Sequence, residues 1–116
     1  MSEANKQILE KLNAAISKLD FDAALELCTE DTEWTFEGDK TLKGKKAVRQ
    51  WMETDYREPP EFKLHRTVAE GNYLVAIGEI MVKDHQGKPL LHNYADVWRF
   101  RDGLMAELHA FVVKAL

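Results

Sequence analysis

Asp96 lies in the run Tyr94-Ala-Asp-Val-Trp-Arg-Phe. If that run is a strand, its side chains alternate, and His92, Tyr94, Asp96, Trp98 and Phe100 share one face. A carboxyl group among aromatic and aliphatic neighbours is disfavoured as an anion, so its pKa rises. A carboxylic acid still neutral near pH 7 can donate a hydrogen bond or a proton to a ligand oxygen. Reading His85-Gln86-Gly87-Lys88 as the preceding turn places Glu79 opposite Tyr94 and Ile77 opposite Asp96, with Met81 beside them. Directly opposed residues have Cβ atoms about 5 Å apart, and diagonal ones about 7–8 Å. In that register Glu79, Tyr94 and Asp96 converge on one small ligand. Two close carboxylates split their protonation states, which supplies one acid and one base. Hydrolysis, dehydration and aldol-type cyclisation all use such a pair. A slip of one residue sends Glu79 to the other face.

Each residue also has a plainer reading. Asp96 could be tied to Arg99, Arg101 or a backbone group. Glu79 could be a rim residue, and Tyr94 a core tyrosine with a satisfied hydroxyl. His65 and His85 read as exposed. His109 alternates with Leu108 and Ala110, which favours the outer face or a subunit contact. His92 and Asp96 are four residues apart, ~13 Å along a strand, whereas metal ligands sit ~2.0–2.2 Å from zinc. No other His, Cys or carboxylate spacing looks metal-like, so neither a metal nor a cofactor is expected. Gly-rich phosphate loops, nucleophile elbows and thiolate dyads are absent.

The elements that must position these groups are legible in the hydrophobic pattern. Ile8, Leu9, Leu12, Ala15, Ile16 and Leu19 recur at helical spacing. Asp20 can cap a short second helix whose inner face is Phe21, Ala24, Leu25 and Cys28. Thr32–Glu37 alternates as a strand with Trp34 and Phe36 on one face, and Gly38-Asp39 turns the chain. Lys40–Lys46 reads as a solvated loop. Gly44 opens a third helix with Ala47, Val48, Trp51 and Met52 as its buried stripe, stopped by Pro59-Pro60. Four strands follow, Phe62–Glu70, Tyr73–Lys83, Leu90–Arg101 and Leu104–Lys114, the last two joined by Asp102-Gly103. The order α-α-β-α-β-β-β-β implies an α+β fold with helices on one sheet face. In the last strand Leu104, Ala106, Leu108, Ala110 and Val112 fall on one face, and Met105, Phe111 and Val113 on the other. A half-exposed strand alternates apolar with polar, so a homodimer through the outer face is expected.

Bulk properties narrow the setting. The 116 residues suit a single domain spanning 1–116. Net charge is −4, which argues against non-specific nucleic-acid binding. The one cysteine, Cys28, can form no intramolecular disulfide. No signal-like h-region or apolar run of membrane-spanning length is visible. A cytoplasmic setting without membrane contact is the expectation.

The segment Tyr94–Phe111 resembles the closing hairpin of the nuclear transport factor 2-like superfamily, in its SnoaL-like and ketosteroid isomerase-like branch. Two N-terminal helices, Asp31-Thr-Glu-Trp, Gly44 before the third helix and Asp96-x-x-Arg-Phe-x-Asp-Gly carry the resemblance along nearly the whole chain. It implies a cystatin-like cone, a strongly bent antiparallel sheet wrapped around the helices, with a cavity inside and dimerisation outside. It places the Asp96 face inside, so that Trp34, Phe36, Trp51, Ile77, Met81, His92, Trp98, Leu108 and Val112 would line the pocket with the candidate catalytic Asp96, Glu79 and Tyr94. Ketosteroid isomerase uses an Asp base with a Tyr and a protonated Asp as oxyanion hole. Asp96 matches the protonated Asp, but the base position carries Phe36 and the Tyr position Leu12. The resemblance therefore implies the fold without that active site.

Two functions stay open at this level. One is an isomerase, cyclase, dehydratase or hydrolase acting on a small, largely apolar, oxygen-bearing molecule through Asp96. The other is a non-catalytic ligand-binding or dimeric association module of the same fold.

Overall fold

The computed structural model describes residues Ser2–Leu116. Helix α1 (Ser2–Ser17) turns its Leu9, Leu12, Ala15 and Ile16 stripe inward. Helix α2 (Phe21–Glu26) is capped by the Asp20 carboxylate, which accepts from the Ala23 N–H at 3.2 Å. Strand β1 (Cys28–Phe36) leads into β2 (Lys40–Lys43), and helix α3 (Lys45–Asp55) follows. Strands β3 (Phe62–Glu70), β4 (Tyr73–Lys83), β5 (Pro89–Arg101) and β6 (Leu104–Lys114) complete the chain. The sheet order is β2-β1-β6-β5-β4-β3. The β1–β6 pair is parallel and every other pair antiparallel. The result is the α+β cone, a curled and unclosed sheet with the helices against its concave face.

Strand β2 corrects the reading of Lys40–Lys46 as a solvated loop. Lys40 and Lys43 are exposed and only Leu42 turns inward, opposite Trp34. A short, lysine-bearing edge strand protects a sheet from pairing with other chains, and so few apolar residues leave no alternation to detect. Gly44 then adopts φ 88°, a conformation glycine enters without strain, and its N–H donates to the Thr32 carbonyl at 2.7 Å. That bond ties the start of α3 to β1. Val48 and Met52 are fully buried.

The β4–β5 register also differs from the sequence reading. Gly78, not Glu79, lies opposite Tyr94, and Ala76, not Ile77, lies opposite Asp96. The cause is the hairpin loop. Lys83 pairs with Pro89, so the loop is Asp84–Lys88, one residue longer than the His85–Lys88 turn. Asp84 organises it, its carboxylate accepting from the Gln86 and Lys88 N–H groups, both at 2.9 Å. An odd number of loop residues moves each side chain of β4 to the other face relative to β5.

The β5–β6 hairpin turns at Asp102-Gly103, both with positive φ (53° and 78°), as a two-residue primed turn requires. Beyond it Phe100 pairs with Met105 and Arg99 with Glu107, so Ala106 is an extra, bulged residue. The bulge breaks the uniform face expected from Leu104 to Val112. Met105 is fully buried and Leu104 is exposed, while Leu108 and Ala110 face the core. The outer face keeps Ile77 (39% exposed), Phe111 (46%) and Val113 (62%) in the open. No helix among the described residues is long and apolar enough to cross a membrane.

Candidate active site

The concave face of the sheet, α1 and the end of α3 enclose a cavity of about 840 Å³ that opens to solvent. Helix α1 contributes Leu9, Leu12, Asn13 and Ile16. The sheet contributes Trp34 and Phe36 from β1, Tyr94, Asp96 and Trp98 from β5, and Leu108, Ala110 and Val112 from β6. Trp51 and Tyr56 close the helical side, and Pro59, Pro60 and Phe62 border it. Alternation explains the sheet contribution, because each of these residues follows the last by two along its strand.

The aromatic rings form one connected wall. Trp98 packs edge-on to Trp34 at a centroid distance of 5.5 Å, Trp34 meets Trp51 at 6.1 Å, and Trp51 meets Phe36 at 4.7 Å and Tyr56 at 4.9 Å. All but the tilted Phe36–Trp51 contact are edge-to-face, an arrangement that fixes ring orientation beyond what area burial supplies.

Asp96 is the ionisable group of this wall. Its cross-strand neighbours are Ala76 on β4 and Ala110 on β6, both too small to cover the carboxyl group. The side chain is half-buried, and its remaining exposure is toward the cavity it lines. Among the described residues no hydrogen bond or ion pair engages it. Arg101 forms a two-pronged pair with Asp31 (2.7 and 3.2 Å), and Arg99 pairs with Glu107 at 3.3 Å. Both arginines that could have neutralised Asp96 are thus occupied elsewhere. Burial alone pushes the Asp96 carboxyl up to about 7.

Two phenols share the space. Tyr94 follows two residues before Asp96 on the same face, and its hydroxyl is pushed up to about 12, first by burial and then by the nearby Asp96 charge. Its ring lies over Gly78, where an added Cβ would stand 2.9 Å from the ring and 2.2 Å from the Lys63 carbonyl oxygen. Only glycine lets β3, β4 and the Tyr94 ring approach so closely. Tyr56 is the C-cap of α3, its N–H bonded to the Met52 carbonyl at 2.8 Å. Its hydroxyl is also held well above the ordinary range, by burial first and then by Asp96 and Asp55.

Of the residues singled out in the sequence, Asp96, Tyr94, Trp34, Phe36, Trp51, Trp98, Leu108 and Val112 come together in the cavity wall. Glu79 and Ile77 do not. The one-residue shift puts both on the outer face, where Glu79 pairs with His65 Nε2 at 3.1 Å. The proposed Asp96–Glu79 carboxylate pair is therefore broken. Met81 follows the outer row by register, opposite Leu91, yet reaches the cavity rim. His92 shares the Asp96 face but lies outside the cavity wall, its Nδ1 3.0 Å from the Leu90 carbonyl oxygen. His109 lies on the outer face, against Glu37 at 2.7 Å. Tyr56 and Asn13 were missed. Tyr56 had a signal, since it stands four residues after Met52 and prolongs the buried α3 stripe. Asn13 is polar beside Leu12 and carried none. Among the described residues no three His, Cys, Asp or Glu side chains gather as metal ligands would.

Comparison with known proteins bears on the fold. No curated protein matches the chain. Several solved structures share its shape. An NTF2-like protein of unknown function from Burkholderia pseudomallei superposes with a TM-score of 0.82 at 20% identity, over 92% of this chain and 88% of that one. An LEH-like epoxide hydrolase from M. tuberculosis gives 0.82 at 15% identity, over 95% and 83%. A protein described as a SnoaL-like polyketide cyclase from Jannaschia sp. CCS1 gives 0.82 at 13% identity, over 95% and 85%. At such identities the likeness concerns the fold. The sequence model of the SnoaL-like domain matches residues 9–108. The chain belongs to the SnoaL-like domain family and has the nuclear transport factor 2-like fold.

Proposed function

We propose that the protein binds a small, largely apolar, oxygen-bearing molecule in the cavity and acts on it by proton transfer through Asp96. The observation that carries this reading is a half-buried carboxyl group with no partner among the described residues, flanked by alanines and facing an aromatic cavity. An acid whose pKa lies near the operating pH is populated in both forms, which is what a general acid or base needs. Tyr94 and Tyr56, both held protonated, serve as hydroxyl donors to the oxygen on which charge develops. Isomerisation, cyclisation, dehydration and hydrolysis are the reaction classes this set suits. An LEH-like epoxide hydrolase and a protein described as a SnoaL-like polyketide cyclase share this fold, which supports the reading at the level of a fold that accommodates enzymes. The steroid isomerase arrangement gains no support, because Phe36 and Leu12 stand at its other two positions.

A second copy of the chain is the proposed partner, docked on the outer sheet face. Ile77, Phe111 and Val113 form an exposed apolar row there. Cys28 is buried and its thiol is pushed up to about 11 by burial, so it takes no part in the proposed chemistry; a cytoplasmic setting belongs to the same proposal. A non-catalytic carrier or association module would use the same cavity or the same outer face.

The test is thermal stabilisation by a library of small apolar oxygenated molecules, on wild type and Asp96→Ala. Saturation at 100 times the dissociation constant stabilises by ~2.7 kcal/mol. Hits lost in the variant identify the ligand class to assay for turnover. An absence of hits with either protein contradicts the proposal.

A further inference from the structure

The charge around the cavity narrows the ligand further. Every lysine and arginine that borders it, Lys40, Arg57 and Lys83, is exposed at the mouth, and Lys83 pairs with Glu58 at 3.7 Å. Carboxylates share the mouth, with Asp39, Asp55 and Glu61 unpaired among the described residues. Deeper in, the wall is apolar or aromatic apart from Asn13, and among the described residues Asp96 is its one group that can carry charge near neutral pH. Buried charge is tolerated when it is paired, and among the described residues no cation pairs with Asp96. A ligand could bring one. Tryptophan and tyrosine faces attract ammonium groups through their ring quadrupoles, best where water is excluded. Trp34, Trp51, Tyr56 and Tyr94 line the same space as the carboxylate.

We infer that the cavity also binds organic cations, specifically a protonated amine on an aromatic frame, with ionised Asp96 as counter-ion and the aromatic wall around the frame. The inference rests on the cavity being the ligand site and adds a second ligand class to it. A neutral oxygen acceptor meets Asp96 best when it is protonated, a cation when it is ionised, so the two classes respond to pH in opposite directions. Among the described residues, the titratable groups that feel the Asp96 charge are Tyr94 on its own strand and Tyr56 at the end of α3, where Asp55 also acts on Tyr56; the remaining titratable groups of the cavity lining are those of the mouth. The phenols stay neutral across this range. Strands β4 and β6 present only Ala76 and Ala110 beside it, and β1 and α1 present Trp34, Phe36, Leu12 and Asn13. An anionic ligand would meet both Asp96 and the acidic mouth.

The experiment is calorimetric titration with three probes on one frame, 2-(2-naphthyl)ethylamine, 2-(2-naphthyl)ethanol and 2-naphthylacetate, at about pH 8 and about pH 6. At the higher pH the amine is expected to bind about tenfold tighter than the alcohol, and the acetate more weakly than either. On going to the lower pH, amine affinity falls about fivefold while alcohol affinity rises. Asp96→Asn erases the roughly tenfold preference for the amine over the alcohol and removes the pH dependence of both. If that variant does not fold, the opposed pH profiles of wild type carry the test. Alcohol binding that equals or exceeds amine binding at the higher pH would overturn the inference and leave the cavity reading standing. Binding by none of the three overturns both.

Discussion

Strands β4, β5 and β6 carry charged residues on both faces, and the two faces treat them differently. On the outer face each is partnered: Glu79 with His65, Arg99 with Glu107, and His109 with Glu37. These pairs are partly exposed, where solvent screens the attraction and each contributes little. On the inner face Lys114 sits at the exposed end of β6, and Asp96, within the cavity wall, stands between two alanines with no partner among the described residues. The outer charges are what any solvated sheet can carry at no cost. The inner one opposes folding when it is ionised, and that contrast is what makes Asp96 the residue on which the proposed function rests.

The largest effect that would sharpen this comparison is expected at Gly78. Gly78→Ala drives a Cβ into the Lys63 carbonyl and the Tyr94 ring, so a loss of about 3 kcal/mol is expected in denaturant melts. Loss of ligand binding in whatever fraction remains folded would accompany it, because the Tyr94 ring must move. A neutral result would mean that the inner face is not packed as described.

Asp96→Asn follows. The folded-state pKa is raised from 3.8 to about 7, so the folded protein holds this proton more tightly than the unfolded chain does. The contribution is fully present below pH ~4, declines as pH rises toward 7, and is lost above it. The neutral amide should therefore raise stability by about 2–4 kcal/mol near pH 8 and change it little near pH 4. A variant less stable than wild type at both pH values would point to a structural carboxylate.

On the outer face, Phe111→Glu is expected to convert a dimer into the 13.4 kDa monomer in sedimentation, with the melting curve of the monomer little changed. Wild type sedimenting as a monomer at micromolar concentration would remove the dimer. The smallest effect is expected for Glu79→Gln, within about 0.5 kcal/mol and with ligand binding intact. A large loss of binding there would mean that Glu79 reaches the cavity after all.

That Glu79 could be placed on either face shows where the sequence stopped being legible. The helices were readable because their apolar stripes repeat over several turns, as in Leu9, Leu12 and Ile16. So was the face shared by Tyr94, Asp96 and Trp98, because alternation within one strand needs no partner. Pairing between strands depends on loop length, and the Asp84 turn lengthened one loop by a single residue. That sufficed to remove Glu79 and Ile77 from the site. Strand β2 escaped because lysines guard it, and Tyr56, although in phase with Val48 and Met52, because it caps the helix just ahead of Pro59-Pro60.

The central claim is that Asp96 is an acid, unpaired among the described residues, whose hold on its proton is strengthened by burial in the cavity wall. The most direct measurement is a carboxyl-carbon NMR titration with Asp96 assigned through Asp96→Asn. A midpoint near 7 is the expected result. A midpoint in the ordinary aspartate range, about 3.9, would contradict it and return Asp96 to the solvated carboxylates of the outer face.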